Sequence, residues 1–253
     1  MPTPFSFCCV YFSHDLSSFL IGQFPGNETA RAVVTVLCAV LCMVIPYLLG
    51  SLNFGIILSK LLYHEDIRSF GSGNAGSTNM LRTYGKKTAA LTLACDMLKG
   101  ALAVLIGGLL LNPAAGAKID GIAIAALFVV LGHIFPCFYH FKGGKGVATI
   151  AMVILVTRPL IFVLLLAVFI IIVAGTRYVS LGSIISVMLF PVLLNRLDTD
   201  YPMGWYHFIA VFMALLIVFM HRSNIKRLLA GKESKVSFGK KKGAEETKET
   251  PGK

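Results

Sequence analysis

The amino-acid sequence predicts an all-α, polytopic transmembrane helical bundle of about seven spans. Of its 253 residues, 56% are hydrophobic and only 14% are charged, whereas a soluble domain carries about a quarter charged residues to solvate its surface. The apolar residues form runs that approach the roughly 20 residues needed to cross a bilayer as a helix. Polar, basic segments separate these runs. Together these observations indicate that lipid is the solvent for most of the chain.

Seven apolar segments are expected to be helical spans. Their approximate bounds are 32–59, 88–111, 120–140, 147–157, 160–175, 178–195 and 204–220. The middle region is too long for one helix, and it is broken at Arg158-Pro159 and near Arg177. The segment 147–157 is shorter than a full crossing, so we expect it to be buried against neighbouring helices. If the middle region is fused, five spans result.

The basic residues concentrate in two loops and at the C-terminal end. Cytoplasmic loops carry an excess of Lys and Arg, so the loops at 60–87 and 142–146 and the C-terminus are predicted to be cytoplasmic, with the N-terminus outside. Residues 1–31 are predicted to be an N-terminal extension, 32–233 the membrane-embedded domain and 234–253 a charged, disordered tail. Topology thus explains the net charge of +11. Membrane lipids are expected partners, and nucleic acid is not.

The first polar loop contains a glycine-rich stretch, residues 68–82. Glycines let the backbone approach a ligand closely, and successive backbone N–H groups in such a loop can bind phosphate. The loop also carries neutral and bidentate cationic donors, namely Ser72, Asn74, Asn79, Arg68 and Arg82. We therefore predict an anion-binding loop. Gly71, Gly73 and Gly76 also fit a dinucleotide-binding pattern, but no strand precedes them, which argues against that fold.

The second polar segment comprises residues 132–136 (GHIFP) and 141–149 (FKGGKGVAT). A Gly-Gly-Lys-Gly sequence before a helix N-terminus is a natural anion site, and its members are Gly143, Gly144, Lys145 and Gly146. It is not a Walker A loop, since Tyr139 stands where that loop needs glycine and Gly146 where it needs Ser or Thr. The alternative is a cytoplasmic turn whose lysines only set topology.

The third polar segment, residues 221–233, follows the last apolar run. His221 and Asn224 share one helix face if the helix continues past the membrane, and Glu233 ends the segment. Alternatively, this stretch is a basic membrane-surface anchor. Acidic residues are few near all three segments, and no Cys-x-x-Cys pair occurs. This balance favours a phosphate ligand, and we expect no metal and no cofactor.

In order and spacing, the three segments resemble the motifs of the bacterial acyl-phosphate–glycerol-3-phosphate acyltransferases. Gly50-Ser51 and residues 96–100 (DMLKG) also match, and the resemblance covers residues from about 45 to 233. It implies a multi-pass enzyme of the bacterial cytoplasmic (inner) membrane with its active site facing the cytoplasm. Such an enzyme transfers a fatty acyl group from acyl phosphate to the C1 hydroxyl of sn-glycerol 3-phosphate, giving lysophosphatidic acid and phosphate. Enzymes that make acyl phosphate or perform the second acylation are the protein partners it implies.

The resemblance also implies roles for individual residues. Ser72, Arg82 and Lys145 would lie at the substrate phosphate or the reacting centre, and His221 and Asn224 would complete the glycerol 3-phosphate pocket. The remaining expected substrate-binding residues belong to the two glycine-rich loops: Arg68, Gly71, Gly73, Asn74, Asn79, Gly143, Gly144 and Gly146. Glu233 would be mainly structural. One departure from the family pattern is Ser77, where alanine is expected.

The residues are also chemically suited to this reaction. An acyl phosphate is already activated, so no covalent enzyme intermediate is needed. Cations can offset charge on the carbonyl oxygen and on the departing phosphate, and the hydroxyl proton could pass to His221 or to a substrate phosphate. The alternative function is a transporter of an organic phosphate. It would not explain why the polar groups gather on one face instead of along a midplane path.

Overall fold

The computed structural model describes residues 15–111, 120–197 and 205–236, which fold into α-helices and two short 3₁₀ turns, without a strand. The helices are α1 (Leu16–Gly22), α2 (Glu28–Ser51), α3 (Phe54–Tyr63), α4 (Ser77–Tyr84), α5 (Lys86–Leu110), α6 (Gly121–Ile134), α7 (Val147–Thr157), α8 (Pro159–Thr176), α9 (Val179–Leu197), α10 (Trp205–Met220) and α11 (Arg222–Leu229). The 3₁₀ turns are Ile67–Ser69 and Cys137–Tyr139. The predicted all-α class is confirmed.

Five of the described helical segments are long and apolar enough to cross a membrane: Glu28–Tyr63, Lys86–Leu110, Gly121–Tyr139, Pro159–Thr176 and Val179–Leu197. The pair formed by α10 and α11, bent by 56°, makes up to six. Helix α7 is apolar but short, and it packs against α5, α6 and α8. Each predicted apolar segment therefore contains helix in the described residues. The count of seven crossings and the outside N-terminus stay predictions.

The first apolar segment differs from its prediction as one continuous helix. Helix α2 ends at Ser51 and α3 begins at Phe54. The break leaves backbone carbonyl groups without partners in the helix, and the Lys99 ammonium of α5 donates to two of them, Gly50 O at 3.0 Å and Leu52 O at 2.9 Å. A buried cation therefore stabilises the interruption, and no local hydrophobic pattern could indicate it.

Close packing holds α2 against α6 beside this break. A Cβ atom on Gly50 would lie 2.2 Å from the Val129 carbonyl oxygen, and one on Gly132 would lie 2.2 Å from that of Tyr47. Only glycine permits such an approach of two helix backbones. Helices α5 to α10 bury the main apolar core, which includes Val104, Val129, Ile154, Phe190 and Ile217. This rigid core fixes the ends from which the polar segments emerge.

The three polar segments meet at one end of the bundle. The Arg68 side chain donates to the backbone carbonyls of Tyr139 and Lys142, at 3.2 and 2.9 Å, which ties the first segment to the second. Lys145 donates to the Asn224 side chain, which ties the second to the third. The shared face that the sequence predicted is therefore present as a set of direct contacts.

The described part of the predicted N-terminal extension is residues 15–31. Asp15 caps α1 through the Ser18 backbone N–H, and α1 packs against α2 and α5. Helix α2 begins at Glu28, with Asn27 as its N-cap, four residues before the predicted start of the membrane domain. Residues 1–14, and residues 237–253 of the predicted tail, lie outside the described residues.

Candidate active site

A cavity of about 430 Å³ opens where the polar segments meet. One end of it is polar and cationic, lined by Ser72, Asn74, Arg82, Lys145, His221 and Asn224. The other end is an apolar groove between α7, α8 and α9, lined by residues such as Ile154, Phe162, Leu165, Phe169 and Val187. The two ends are continuous. The cavity therefore suits an amphiphile with an anionic head and a hydrocarbon tail.

The buried Asn79 side chain organises the first loop. Its oxygen accepts a hydrogen bond from the Ser72 N–H at 2.9 Å, and its amide nitrogen donates to the carbonyls of Ile67, Phe70 and Asn74 at 3.2, 2.9 and 2.9 Å. One side chain thus holds four points of the loop backbone. Asn79 lines the cavity, but its polar atoms are engaged with the loop. We assign it to shaping the loop and placing Ser72.

Gly71 and Gly73 shape the same loop by adopting positive φ angles of 56° and 70°. A side chain at Gly71 would also meet the Asn79 oxygen, since a Cβ atom there would lie 2.3 Å from it. Neither glycine is among the cavity-lining residues. Asn74 does line the cavity, and its oxygen accepts from the Gly76 N–H at 2.9 Å. The glycines therefore serve the loop's conformation.

Arg68 stands apart from the other predicted substrate-binding residues. Its guanidinium forms a bidentate pair with Asp66, at 3.0 and 2.7 Å, and also donates to the second loop as described above. It does not line the cavity. With its donors occupied in this way, Arg68 joins two loops. The sequence places a cation beside a glycine-rich loop, but it does not reveal that this cation, Arg68, forms an ion pair with Asp66.

The second loop lies flat against the end of α6. The N–H groups of Gly143 and Gly144 donate to the carbonyls of Ile134 and His133, both at 3.1 Å. A Cβ atom on Gly144 would lie 2.1 Å from His133 Nε2, and one on Gly143 would lie 2.2 Å from His133 O. Gly146, with φ of 84°, is the N-cap of α7 and lines the cavity. Two of the three predicted phosphate-loop glycines thus pack on His133.

Lys145 carries the positive charge of this loop into the cavity. Its ammonium donates to the Asn224 side-chain oxygen. Burial lowers the pKa of Lys145 to about 8, Glu233 opposes this shift, and the positive charges of Arg227 and Arg82 add to it. A cation held with a lowered pKa among other cations is poised to bind an anion, whose charge would relieve both desolvation and repulsion.

The third segment places Glu233 behind Asn224. Glu233 accepts hydrogen bonds from Asn224 Nδ2 at 2.8 Å, from Ser180 Oγ at 2.9 Å and from Arg227 Nε at 2.7 Å. Burial raises the pKa of Glu233, but these hydrogen bonds outweigh it and leave the pKa below its ordinary value. The carboxylate orients the Asn224 amide so that its oxygen faces Lys145. Glu233 thus acts on the cavity through Asn224, and its structural role stays a prediction.

His221 sits at the bend between α10 and α11. Its Nδ1 lies 2.7 Å from the Ile217 carbonyl oxygen, which can only accept, so the ring proton is on Nδ1 and Nε2 carries a lone pair. The prediction that His221 and Asn224 share a helix face assumed a continuous helix, whereas the chain bends by 56° at this point. His221 and Asn224 nevertheless both line the cavity.

Arg82 on α4 lines the cavity beside these groups, and its guanidinium donates to the Ser234 carbonyl oxygen at 3.3 Å. That single contact leaves several of its five N–H donors for a ligand. Among the described residues no group of three or more His, Cys, Asp or Glu could hold a metal ion. The polar end carries the cations Arg82 and Lys145 with neutral polar groups, and its carboxylates Glu233 and Asp96 are paired with protein groups, which suits phosphate.

Three buried ionisable residues at or beside the cavity were not among the predicted site residues, and two of them, Asp96 and His133, line it. They are Asp96 and Lys99 on α5 and His133 on α6, each at most 3% exposed. Lys99 Nζ lies 2.9 Å from Asp96 Oδ1 and 2.8 Å from His133 Nδ1. Charged residues in an apolar segment are costly and tend to be functional. That signal was present in the sequence at residues 96–100 and at His133.

Comparison with known proteins agrees with this site. The model of the family described as glycerol-3-phosphate acyltransferase matches residues 40–231. Glycerol-3-phosphate acyltransferases of Thermoanaerobacter pseudethanolicus and Bartonella henselae are 47% and 44% identical to the chain, over 78% of it in each case and over 96% and 90% of their own lengths.

Solved structures show the same relationship in three dimensions. Crystal structures of PlsY, an integral membrane glycerol 3-phosphate acyltransferase, in a glycerol 3-phosphate form and a lysophosphatidic acid form are 37% and 36% identical to the chain. Their TM-scores are 0.71 and 0.68, and each covers 79% of this chain. Sequence, fold and candidate site therefore agree that this chain belongs to the glycerol-3-phosphate acyltransferase family and is a multi-pass membrane protein.

Proposed function

We propose that this chain transfers a fatty acyl group from acyl phosphate to the C1 hydroxyl of sn-glycerol 3-phosphate, giving lysophosphatidic acid and inorganic phosphate. The observation that carries the proposal is the continuity of one cavity from a cationic polar end to an apolar groove. A fatty acyl phosphate has this shape and charge. The related structures in glycerol 3-phosphate and lysophosphatidic acid forms support the acceptor and the product.

The two anionic groups share the polar end. Lys145 and Arg82 supply positive charge, and Ser72 and Asn224 supply neutral polar groups beside them. Two phosphates held side by side repel each other, and cations placed between and around them offset that repulsion. Holding both substrates in one orientation removes much of the entropic cost of their encounter, which can be worth several kcal/mol of the barrier. The acyl chain lies in the groove between α7, α8 and α9.

His221 is suited to receive the glycerol hydroxyl. Its Nδ1–H is engaged with the Ile217 carbonyl, so its Nε2 lone pair is free to accept a hydrogen bond. The hydroxyl oxygen attacks the acyl carbonyl carbon, the bond from that carbon to the phosphate oxygen breaks, and the proton moves through His221 to the released phosphate. Atoms and charge balance without a covalent enzyme intermediate or a cofactor.

The test of the proposed function is a choice of donors. Purified protein in detergent is given glycerol 3-phosphate with palmitoyl phosphate, palmitoyl-CoA or palmitoyl-acyl carrier protein, and lysophosphatidic acid is quantified by mass spectrometry. We expect product with palmitoyl phosphate alone, together with one phosphate released per acyl group. Product from either thioester at a comparable rate would contradict the proposed donor. Family membership favours this enzyme over the transporter that the sequence also allowed.

The polar end is further proposed to face the cytoplasm from the bacterial inner membrane. The basic loops gather at that end, and the enzymes that supply acyl phosphate or acylate lysophosphatidic acid, the predicted partners, would work from the same side. In a cysteine-free background, Lys142→Cys should resist an impermeant thiol reagent in whole cells and react after the membrane is opened. The control is Glu28→Cys, at the start of α2 on the opposite side, which should react in whole cells. The reverse pattern would overturn the orientation.

A further inference from the structure

Asp96 and His133 line the cavity, and both lie beside the buried Lys99 ammonium. It is 1% exposed, and its nitrogen lies within 3.0 Å of four groups: the carbonyl oxygens of Gly50 and Leu52, Asp96 Oδ1 and His133 Nδ1. An ammonium has three N–H donors and no acceptor. The two carbonyls and the His133 ring nitrogen are hydrogen-bond acceptors for these protons, while the Asp96 carboxylate balances the charge.

This arrangement fixes the tautomer of His133. Because Lys99 donates to Nδ1, that nitrogen carries a lone pair, and the ring proton is on Nε2. Gly144 lies against the same ring, since a Cβ atom added at Gly144 would lie 2.1 Å from Nε2. His133 lines the cavity, and no described residue forms a hydrogen bond with its Nε2. The remaining ring donor thus belongs to a cavity-lining residue and has no protein acceptor among the described residues.

We infer that His133 is a further catalytic residue, whose Nε2–H donates a hydrogen bond to the carbonyl oxygen of the acyl donor, and that Lys99 and Asp96 are its positioning residues. The inference rests on the proposed function. Asp96 Oδ1 lies 3.6 Å from His133 Nδ1, and its charge pairs with that of Lys99, so this part of the site has no surplus positive charge to attract a phosphate. A carbonyl oxygen is uncharged when it binds and gains negative charge as the hydroxyl attacks, so a fixed donor there lowers the barrier.

The two histidines of the cavity then have opposite roles. His221 donates to its own helix and presents a lone pair, whereas His133 accepts from Lys99 and presents a proton. One can receive the attacking hydroxyl and the other can stabilise the oxygen on which charge develops. Both tautomers are set by buried neighbours, so each role is available before substrate arrives.

Two amide substitutions separate a donor role from a packing role. In His133→Gln the side-chain nitrogen reaches the place of Nε2 and can still donate, while in His133→Asn the amide reaches only the place of Nδ1 and can still bond Lys99. We expect His133→Asn to lower kcat on the order of 10²-fold or more, the usual loss of one such donor. His133→Gln should retain at least about ten times the kcat of the Asn variant, with KM for glycerol 3-phosphate little changed in both.

Three outcomes would overturn the inference. If the kcat of His133→Asn equalled or exceeded that of His133→Gln, the ring would only pack. If the variants changed only the KM for glycerol 3-phosphate, the donor would contact the acceptor substrate instead. Protonated Nδ1 on His133 in ¹⁵N NMR of the wild-type protein in bilayers would exclude the tautomer, whether or not the variants fold. Wild-type protein is assayed alongside with palmitoyl phosphate, so failure of the proposed function shows separately, as absence of product from the wild type.

Discussion

Replacing Lys145 with alanine should lower kcat on the order of 10³-fold while the protein still folds and inserts. The ammonium is the charged group that the second loop places in the cavity, and loss of one charged or oxyanion-type donor costs about 10²–10³-fold in rate. The Asn224 side-chain oxygen would also lose the hydrogen bond that it accepts from Lys145. The measurement is steady-state kinetics with palmitoyl phosphate and glycerol 3-phosphate. The control is Lys142→Ala, an exposed lysine of the same loop, which should keep wild-type kcat.

The same residue predicts a pH dependence. Burial lowers the pKa of Lys145 to about 8, within a site that also holds Glu233, Arg227, Arg82 and His221. The protonated, active fraction therefore falls as pH rises through that value, and kcat/KM, which reports the free enzyme, should drop about tenfold per pH unit above it. In Lys145→Arg the guanidinium stays charged, so this decline should disappear from whatever activity remains. An alkaline decline of equal position in the Arg variant would show that another group causes it.

Replacing Asn79 with aspartate should be the most damaging isosteric change in the first loop. The amide nitrogen donates to three backbone carbonyls, and a carboxylate oxygen at that place would face three acceptors with no proton to offer. Each unsatisfied buried group costs about 1–3 kcal/mol, so we expect several kcal/mol of destabilisation. Because the other Asn79 atom holds the Ser72 N–H, activity should fall more than 100-fold, consistent with about 3 kcal/mol.

The matched control for that change is Asn27→Asp. Asn27 is an exposed N-cap whose oxygen accepts from the Ala30 N–H at 3.0 Å, and aspartate caps a helix equally well. Thermal unfolding in detergent and kcat should both stay at wild-type values in this variant. If Asn79→Asp also unfolded at the wild-type temperature with normal kcat, the loop would not depend on Asn79, and its assignment would be wrong.

Much of the fold could be predicted from the sequence because membrane helices leave a strong compositional signal. The lengths of the apolar segments predicted the helices. The predicted breaks at Arg158-Pro159 and Arg177 separate α7, α8 and α9 in the structure as well. The polar segments could be assigned to one face from their charge alone. The break at Leu52 was not predicted, because it is stabilised by Lys99 of α5, which donates to the carbonyls of Gly50 and Leu52. No local residue pattern indicates this contact.

The site was predictable in its residue types and less so in their roles. Lys145, Arg82, Ser72, His221 and Asn224 do line one cavity. Yet composition cannot show which polar groups are already satisfied by protein. Arg68 is paired with Asp66, and Gly143 and Gly144 pack on His133, so the motif predicted substrate contacts for them that the geometry does not support. Conversely, the buried cluster formed by Asp96, Lys99 and His133 is visible only once α5 and α6 are packed.

In the proposed reaction, acyl phosphate and glycerol 3-phosphate react directly with each other within one cavity. Ser72 is the candidate nucleophile for the alternative route through an acyl-enzyme. Asn79 holds the Ser72 backbone N–H, and the acyl donor is already activated, so the reaction does not need a covalent intermediate. Intact-protein mass spectrometry after incubation with palmitoyl phosphate alone tests this most directly. We predict an unmodified protein mass, with lysophosphatidic acid appearing only when glycerol 3-phosphate is added. A stoichiometric palmitoyl adduct on Ser72, removed on addition of glycerol 3-phosphate, would contradict direct transfer.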